Sequence, residues 1–197
     1  GNEMMSVFDE INLGDEILRT LYHIDPSSVI AGGAPRDWYF DRECSDIDVY
    51  FYYRPDLDTT TVQKIVGNLF GVNLFEVGSS EMHERQEHRY LRDKNISNVW
   101  EFPFQGKMIQ LIRRNIPTFG ITQTFALNLS MIWFKNGTIT PDEPFLDGVK
   151  TKSIVKMNEL YADGDKYVQK IRNKFPSYRY FSNELEFYKY HARSVIK

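Results

Sequence analysis

The segment Asp46–Tyr50, which reads Asp-Ile-Asp-Val-Tyr, constrains the fold more than any other part of the chain. Side chains two residues apart lie on the same face of a β-strand, so Asp46 and Asp48 share one face while Ile47 and Val49 share the other. The apolar face needs a covering layer, whereas the carboxylates need solvent or a cation. The pattern therefore predicts a strand with one buried face and one acidic face.

A pair of glycines precedes this strand by about ten residues. Val29–Ala31 is a short apolar run typical of a strand, and Gly32 and Gly33 follow it directly. Glycine allows a tight turn and lets the backbone approach a ligand closely. Pro35 suits the first turn of a helix, and the N–H groups at a helix start attract anions. The segment therefore predicts a strand, a turn and a helix able to hold a phosphate.

Each element alone is weak evidence, because a Gly-Gly turn is usually only a turn and an Asp-x-Asp pair often marks a solvated strand edge. Side by side, the two elements are far more specific. Two carboxylates beside a triphosphate supply the oxygen ligands that Mg²⁺ or Mn²⁺ requires, and in-line attack at phosphorus uses two such ions. We therefore predict that Asp46 and Asp48 are the metal-binding, catalytic carboxylates of a nucleotidyltransferase site.

These residues also resemble a known family. The run Gly32-Gly33-x-x-Arg36-Asp37, followed by Arg42 and the Asp-x-Asp pair, is similar to the head domain of CCA-adding enzymes and poly(A) polymerases. Those enzymes belong to the polymerase-β-like nucleotidyltransferase superfamily. The resemblance spans roughly residues 28–155, and its downstream parts are Phe125-Ala126-Leu127-Asn128, which resembles part of the family's second motif, the turn Asn136-Gly137 and the stretch Asp142–Gly148.

The resemblance implies a reaction and a set of binding residues. The reaction is transfer of a nucleoside monophosphate from a nucleoside triphosphate to an acceptor hydroxyl, with Mg²⁺ as cofactor and release of pyrophosphate. By resemblance, Gly32, Gly33 and Arg36 would bind the triphosphate, and Asn128 would also belong to the nucleotide-binding residues. The acceptor is left open between an RNA end, a protein and a small molecule. Residues 151–197 are too few for the tRNA-holding regions of CCA-adding enzymes, so authentic CCA addition by this chain alone is not expected.

The sequence departs from the family at two places. The Arg-Arg-Asp that begins the second motif reads Thr122-Gln123-Thr124 here, so one nucleotide contact is missing or replaced. The superfamily usually adds a third carboxylate from a neighbouring strand, and Gln110 stands at that position in the predicted strand Lys107–Ile112. Glutamine supplies no negative charge and no general base. Glu101 is the nearest alternative acid by sequence, and its strand face stays open.

These departures leave more than one function class. The first is an active nucleotidyltransferase. The second is a non-catalytic nucleotide- or RNA-binding module that has lost its third carboxylate, which Gln110 favours. The intact aspartate pair opposes this second reading, because two adjacent carboxylates are costly to keep charged without a cation. A third class is a toxin–antitoxin-like or phage-like enzyme that modifies protein or tRNA.

The predicted fold is α/β, with a mixed, mostly antiparallel sheet flanked by helices and a short helical C-terminal segment. The resemblance supplies this architecture, and it divides the chain of 197 residues into a head domain over residues 1–150 and a helical segment over residues 151–197. Thr124–Phe134 is ambiguous between helix and strand. The other predicted elements are a helix over Ser6–Leu21, strands at Ile47–Tyr53 and Leu74–Val77, a helix capped by Asp58 or Thr59, a hairpin of Val99–Phe104 with Lys107–Ile112, and helical structure from Ser153 with a break at Pro176.

Composition adds expectations about location and partners. The sequence has no apolar run long enough to span a membrane and no visible signal peptide. The single cysteine, Cys44, excludes an internal disulfide and predicts a cytoplasmic protein with a packed thiol. Residues 1–150 carry 14 Lys and Arg against 22 Asp and Glu, whereas residues 151–197 carry 10 against 5. This asymmetry bears on partners rather than on fold.

Two further patterns have competing interpretations. His83 and His88, with nearby acids and arginines, fit a solvated charged face better than a metal site, because their spacing of five does not place both on one helical face. Residues 161–190 interleave tyrosines and phenylalanines with lysines and arginines. Such a pattern holds single-stranded nucleic acid in some proteins, although most of these aromatic residues are expected to pack onto the head domain.

Overall fold

The computed structural model describes residues 5–78, 93–159 and 164–196. The stretch 81–92, which contains His83 and His88, lies outside these residues, as does Tyr161. The helices are α1 (Val7–Leu21), α2 (Gly33–Tyr39), α3 (Thr59–Phe70), α4 (Glu143–Thr151), α5 (Gly164–Lys174) and α6 (Glu184–Ile196). The strands are β1 (Val29–Ala31), β2 (Asp46–Tyr52), β3 (Phe75–Glu76), β4 (Ile96–Phe104), β5 (Lys107–Arg114), β6 (Ile132–Lys135), β7 (Thr138–Pro141), β8 (Ser153–Val155) and β9 (Arg179–Phe181).

Seven of these strands form one mixed sheet, in the order β3-β4-β5-β2-β1-β6-β7. The central pair, β2 and β5, is parallel, and the other neighbouring pairs are antiparallel. The strands β8 and β9 form a separate parallel pair. This arrangement, with helices flanking the sheet and a short helical C-terminal segment, confirms the predicted α/β fold.

The main core covers one face of the sheet, and the alternation in β2 decides which face. Ile47, Val49 and Phe51 are fully buried, and they pack in one cluster with residues of α1 and α3. Burial of each such side chain stabilises the fold by about 1.5–3 kcal/mol. The neighbouring strands contribute buried side chains to the same cluster: Ile30, Trp100, Phe102, Ile109, Leu111 and Phe134.

Polar side chains cap the N-termini of two core helices, one of them at the position that the sequence predicts. Ser6 caps α1 by accepting a hydrogen bond from the Asp9 N–H at 3.1 Å. Asp58, rather than Thr59, caps α3, because its carboxylate accepts from the Thr61 N–H at 2.7 Å. Such caps each contribute about 1 kcal/mol, and they fix where these helices begin.

The C-terminal part contains strand where the sequence suggests helix. The helical structure predicted from Ser153 is wrong at its start, because Ser153–Val155 is β8 and pairs in parallel with β9. This pairing joins residues far apart in sequence, so no local sequence pattern predicts it. The ambiguous segment Thr124–Phe134 resolves into two 3₁₀ turns, Ile121–Thr124 and Asn128–Ser130, followed by strand β6.

A second core cluster joins residues from both sides of residue 150. Its buried members are Leu127, Leu129, Ile132, Phe145, Ile154, Val168, Ile171 and Phe175. Asn128 adds polar contacts at the same place, since its Nδ2 donates to the carbonyls of Pro144 at 3.3 Å and Ser153 at 3.1 Å. Its Oδ1 accepts from the Val155 N–H at 2.7 Å. The division into units 1–150 and 151–197 stays a prediction.

The helices and the single cysteine can be compared with the expectations about membrane spans and disulfides. None of the helices in the described ranges is long and apolar enough to cross a membrane. Cys44 is a buried free thiol. Burial and the neighbouring Glu10 carboxylate both raise the pKa of Cys44 above its ordinary value, so the thiol is chemically quiet. The cytoplasmic location stays a prediction.

We predict that Gly148→Ala destabilises the fold by about 2 kcal/mol or more, as overpacking does. A Cβ at this position would collide with Nδ2 of Asn128 and would lie 2.8 Å from the Ser153 carbonyl oxygen. Urea denaturation measures the effect. Helix propensity alone favours alanine over glycine by about 1 kcal/mol, so an increase in stability would show that the Asn128 contacts do not restrict this site.

Candidate active site

The sheet register gathers polar side chains on the face opposite the main core. Asp48 pairs with Gln110 across β2 and β5, and Gln110 pairs with Glu101 across β5 and β4. Residues directly opposite each other in neighbouring strands point to the same face, so the three form one row with Gln110 in the middle. Asp46, two residues before Asp48, lies on this face as well. The face of Glu101, which the sequence leaves open, is therefore that of the aspartates.

Gln110 lies within reach of Asp48, because the two residues are in register on neighbouring strands, and such strands lie about 4.8 Å apart. Gln110 is 2% exposed, whereas Asp46 is exposed and Asp48 half-buried. A buried amide beside two carboxylates forms hydrogen bonds but adds no negative charge. Among residues 5–78, 93–159 and 164–196, no group of three or more His, Cys, Asp or Glu side chains is placed to hold a metal ion.

The glycine turn lies beside the aspartates because β1 pairs antiparallel with β2. Ile30 pairs with Val49, so the end of β1 lies next to the start of β2 and Asp46. Gly32 follows β1 with φ of 91° and ψ of −127°, a conformation that glycine adopts and other residues avoid. Its N–H donates to the Ile132 carbonyl at 2.9 Å, which fixes the turn against β6.

Arg36 and Asp37 lie in α2 with buried side chains. A Cβ added at Gly33 would lie 3.4 Å from Nη2 of Arg36, so the guanidinium lies against the glycine turn. Arg36 Nε is 3.6 Å from Asp37 Oδ1. Lys174, at the end of α5, brings its Nζ within 3.5 Å of Asp37 Oδ2. The C-terminal segment therefore contributes a cation to the neighbourhood of the turn.

Thr122 and Phe125 belong to the segment that resembles the family's second motif, and Phe125 lies near the glycine turn. Thr122 stands where the family has its first arginine, and its hydroxyl donates to Asp142 Oδ2 at 2.5 Å. The Phe125 ring packs 5.8 Å from the Tyr50 ring, centroid to centroid, and lies 3.8 Å from where a Cβ on Gly32 would be. Phe125 thus supports the glycine turn through packing rather than through charge.

Asn128 makes a separate set of contacts. Its amide is engaged by the backbone hydrogen bonds described above, which tie α4 to β8. It is the one predicted site residue in a pocket of about 200 Å³, whose lining is Asn128, Glu143, Pro144, Asp147, Val155, Met157, Glu184, Phe187 and Tyr188. Its role in nucleotide binding stays a prediction, and the contacts it makes are structural.

A buried ion pair holds the chain just before the acidic strand. Oε1 of Glu10 accepts hydrogen bonds from the Cys44 N–H and from Trp38 Nε1, both at 2.9 Å. Lys107 Nζ lies 2.9 Å from Glu10 Oε2 and donates to the Cys44 carbonyl at 2.6 Å. Both backbone polar groups of Cys44 are thereby fixed two residues before Asp46.

Burial raises the pKa of Glu10, but the hydrogen bonds from Cys44 and Trp38 and the ion pair with Lys107 lower it more. The pKa of Glu10 therefore lies below its ordinary value, and the carboxylate stays charged in the fold. Sequence reasoning missed this residue, although Glu10 continues the stripe of Leu13, Gly14 and Ile17 along the buried face of α1. An acid in an apolar stripe is a signal for a buried polar partner.

The aromatic and basic residues of the C-terminal segment mostly pack against one another. The Phe175 ring lies 5.3 Å from Phe40 and 5.0 Å from Tyr178. Phe181 and Phe187 are buried and stack edge to face at 5.6 Å. Exposed aromatic side chains in this segment are Tyr188 and Tyr190. The packing interpretation accounts for most of this segment, as expected.

Comparison with solved structures shows that the fold is similar to that of CCA-adding enzymes and a tRNA nucleotidyltransferase. A CCA-adding enzyme in complex with ATP matches with a TM-score of 0.58 and 12% identity, over 88% of this chain and 39% of that chain. The Thermotoga maritima CCA-adding enzyme in complex with tRNA matches with a TM-score of 0.57 and 12% identity, over 90% and 43%. A tRNA nucleotidyltransferase in complex with a primer tRNA and an incoming ATP analogue matches with a TM-score of 0.53 and 12% identity, over 84% of this chain and 46% of that chain.

The similarity is one of fold. This chain spans less than half the length of each of those structures. No protein-family model matches the sequence, and no curated protein sequence matches it significantly. The architecture thus agrees with the resemblance, whereas the roles of Asp46 and Asp48 stay predictions.

We predict that Glu10→Gln lowers the free energy of unfolding by about 1–3 kcal/mol at neutral pH, because Lys107 loses its carboxylate partner. The control is Glu16→Gln on the same helix, where the carboxylate contacts the exposed Gln105 and little change is expected.

The pH dependence follows from the lowered pKa of Glu10. The charged carboxylate stabilises the fold above its ordinary pKa of 4.5, and this contribution is lost as the pH falls through the lower folded value. In Glu10→Gln this component should be absent from urea titrations between pH 3 and pH 7. Identical pH profiles for the variant and the wild type would contradict the assignment.

Proposed function

We propose that the chain is a Mg²⁺-dependent nucleotidyltransferase, which transfers a nucleoside monophosphate from a nucleoside triphosphate to the hydroxyl of an acceptor. The observation that carries this proposal is the pairing of β1 with β2, which puts the glycine turn beside Asp46 and Asp48. The ATP, CTP and tRNA bound by proteins of the same fold support a nucleotide donor and an RNA acceptor.

The donor set suits a divalent cation. Asp46 and Asp48 present two carboxylates from one strand face, and Mg²⁺ is commonly bound by one or two carboxylates together with substrate phosphates. The cation would neutralise charge on the phosphates and on the leaving pyrophosphate. Gln110 is neutral and would serve these groups as a hydrogen-bond donor or acceptor rather than as a third acid.

The protein's own part in the reaction is positioning. The glycine turn and Arg36 would hold the triphosphate so that the acceptor oxygen approaches the α-phosphorus in line. One O–P bond forms there while the bond to the β-phosphate oxygen breaks, and pyrophosphate leaves. The acceptor hydroxyl proton needs a base, and Glu101 is the acid on the same face that could receive it, directly or through a water molecule.

A binding module without activity is the second candidate, and Gln110 favours it. With a neutral side chain next to Asp48, the site holds one negative charge fewer than a site with three acids. Nucleotide binding would persist, because the glycine turn and Arg36 are unaffected. The two candidates differ in one measurable quantity, the incorporation of labelled nucleotide into an acceptor.

We predict that Asp48→Asn abolishes incorporation of α-³²P-labelled nucleoside triphosphates into an RNA acceptor, with a loss of about hundredfold or more. Asp56→Asn is the control, because Asp56 is exposed and pairs with Arg54 on a loop. Mn²⁺ affinity, titrated with ATP present, should fall in Asp48→Asn only. Equal Mn²⁺ affinity in all three proteins would refute the metal assignment. If the wild type incorporates none of the nucleotides, the transfer reaction is refuted and the binding module without activity is the function that stays.

We predict that Gln110→Glu strengthens Mn²⁺ binding by about tenfold, because a third carboxylate adds attraction at short range. If the wild type is active, the same variant should also raise the transfer rate. Glu101→Gln is the paired experiment, since it removes the other acid of the row. No change in Gln110→Glu, together with a large loss in Glu101→Gln, would show that Glu101 already supplies the third charge.

A further inference from the structure

Two cationic side chains, those of Arg36 and Lys174, lie near the Asp37 carboxylate where α2 approaches the end of α5, and Arg42 lies against the neighbouring ring of Phe175. Arg36 belongs to α2, Arg42 follows α2, and Lys174 is the last residue of α5. The ring of Phe175 contacts both arginines, with its centroid 6.0 Å from Arg36 Cζ and 5.5 Å from Arg42 Cζ. We refer to Arg36, Arg42 and Lys174 as the seam cluster.

The seam cluster carries more positive charge than its contacts neutralise. In the described part of the chain, the salt bridges give it one carboxylate, Asp37. The distances from Asp37 to Arg36 Nε, 3.6 Å, and to Lys174 Nζ, 3.5 Å, exceed the 2.7–2.9 Å typical of charge-assisted hydrogen bonds. Two positive charges therefore remain in excess at a partly buried place.

Arg36 adds an independent sign that a ligand belongs here. It is 3% exposed, and its Nε has no hydrogen-bond partner among the described residues. A buried polar group without a partner is costly unless something else satisfies it. An anion with several oxygen acceptors would satisfy Arg36 and neutralise the excess charge together.

Lys174 shows the same imbalance. Burial lowers the pKa of Lys174, and the Arg36 guanidinium lowers it further, although Asp37 acts in the opposite direction. Lys170, four residues earlier on α5, also acts to lower it. A lysine surrounded in this way gains from a bound anion. Its side chain is 34% exposed, so such an anion can reach it.

The place of the cluster defines the class of anion. Nη2 of Arg36 lies against Gly33 of the glycine turn, and the turn lies beside Asp46. An anion held by the seam cluster would thus adjoin the proposed nucleotide site at the glycine turn. The groups of a nucleoside triphosphate that carry the most charge are its terminal phosphates.

We propose that Lys174 and Arg42, together with Arg36, bind the terminal phosphates of the nucleoside triphosphate and the pyrophosphate that leaves. The C-terminal segment then completes a polyphosphate subsite that the first 150 residues form only in part. This assignment rests on the proposed function for the identity of the nucleotide, but binding of pyrophosphate itself requires no transfer reaction.

The test compares Lys174→Met with the wild type by calorimetric titration of inorganic pyrophosphate, ATP and AMP. The methionine keeps the apolar stem of the side chain and removes the charge. We expect about tenfold weaker binding of pyrophosphate and ATP, the scale of one charge-assisted hydrogen bond, and unchanged binding of AMP. Lys166→Met, on an exposed position of the same helix, is the matched control and should bind all three like the wild type.

Further variants separate binding from structure. Lys174→Arg should restore most of the pyrophosphate affinity, and Arg42→Gln, at an exposed position, should weaken it if Lys174→Met does not fold. Unchanged pyrophosphate affinity in Lys174→Met with lowered thermal stability would overturn the proposal, because Lys174 would then serve only to neutralise Asp37. Oligoadenylate is titrated as a fourth ligand, and weaker binding of it to Lys174→Met without weaker binding of pyrophosphate would overturn the proposal as well, in favour of an RNA backbone contact.

The outcome for the subsite is distinct from the outcome for the reaction. If no nucleotide is incorporated into any acceptor but pyrophosphate binding depends on Lys174, the proposed transfer reaction fails and the polyphosphate subsite stands. If transfer occurs and Lys174→Met changes neither pyrophosphate affinity nor the KM for ATP, the subsite fails and the reaction stands.

Discussion

The register of β2 is the constraint on which the site depends. Ile47, Val49 and Phe51 are fully buried on one face, so Asp46 and Asp48 must lie on the other. A slip of one residue against β5 would bury both carboxylates and expose the apolar side chains. Carboxylates buried without partners cost several kcal/mol each, so core packing itself enforces the placement of the two aspartates.

Charge is separated across the glycine turn. The sheet side carries the carboxylates of β2, while the helix side carries Arg36 and, from the C-terminal segment, Lys174. A triphosphate with its cation matches this arrangement, since its oxygens can bridge a metal ion on one side and fixed cations on the other. The Glu10–Lys107 pair holds the backbone at Cys44 and so limits how far the acidic strand can move relative to the turn.

The sequence predicted those features of the fold that depend on residues close together in the chain. The alternation in β2, the cap at Asp58 and the hairpin around Gln105-Gly106 all depend on neighbours in sequence, and each is present in the structure. The pairing of β8 with β9 depends on contacts between distant residues, so the sequence could not determine it. The face of Glu101 follows instead from the register of the predicted hairpin, in which Glu101 pairs with Gln110. Lys174 was visible only as one of many basic residues, because its meeting with Asp37 arises from tertiary packing.

The order of side chains across the sheet leaves Asp48 without an acidic neighbour on β5. The row reads Asp48, Gln110, Glu101, so a neutral amide lies next to Asp48 and the acid of the row lies one strand further away. Strands are spaced about 4.8 Å apart, which puts the Glu101 backbone roughly 10 Å from that of Asp48. The Glu101 carboxylate is therefore further from a cation on Asp48 than an acid at position 110 would be, so it contributes to the field around a phosphate more readily than to the ligand shell of the cation. With Gln110 beside Asp48, the row offers a cation one close carboxylate ligand fewer, so metal affinity should be more sensitive to this position than nucleotide binding is.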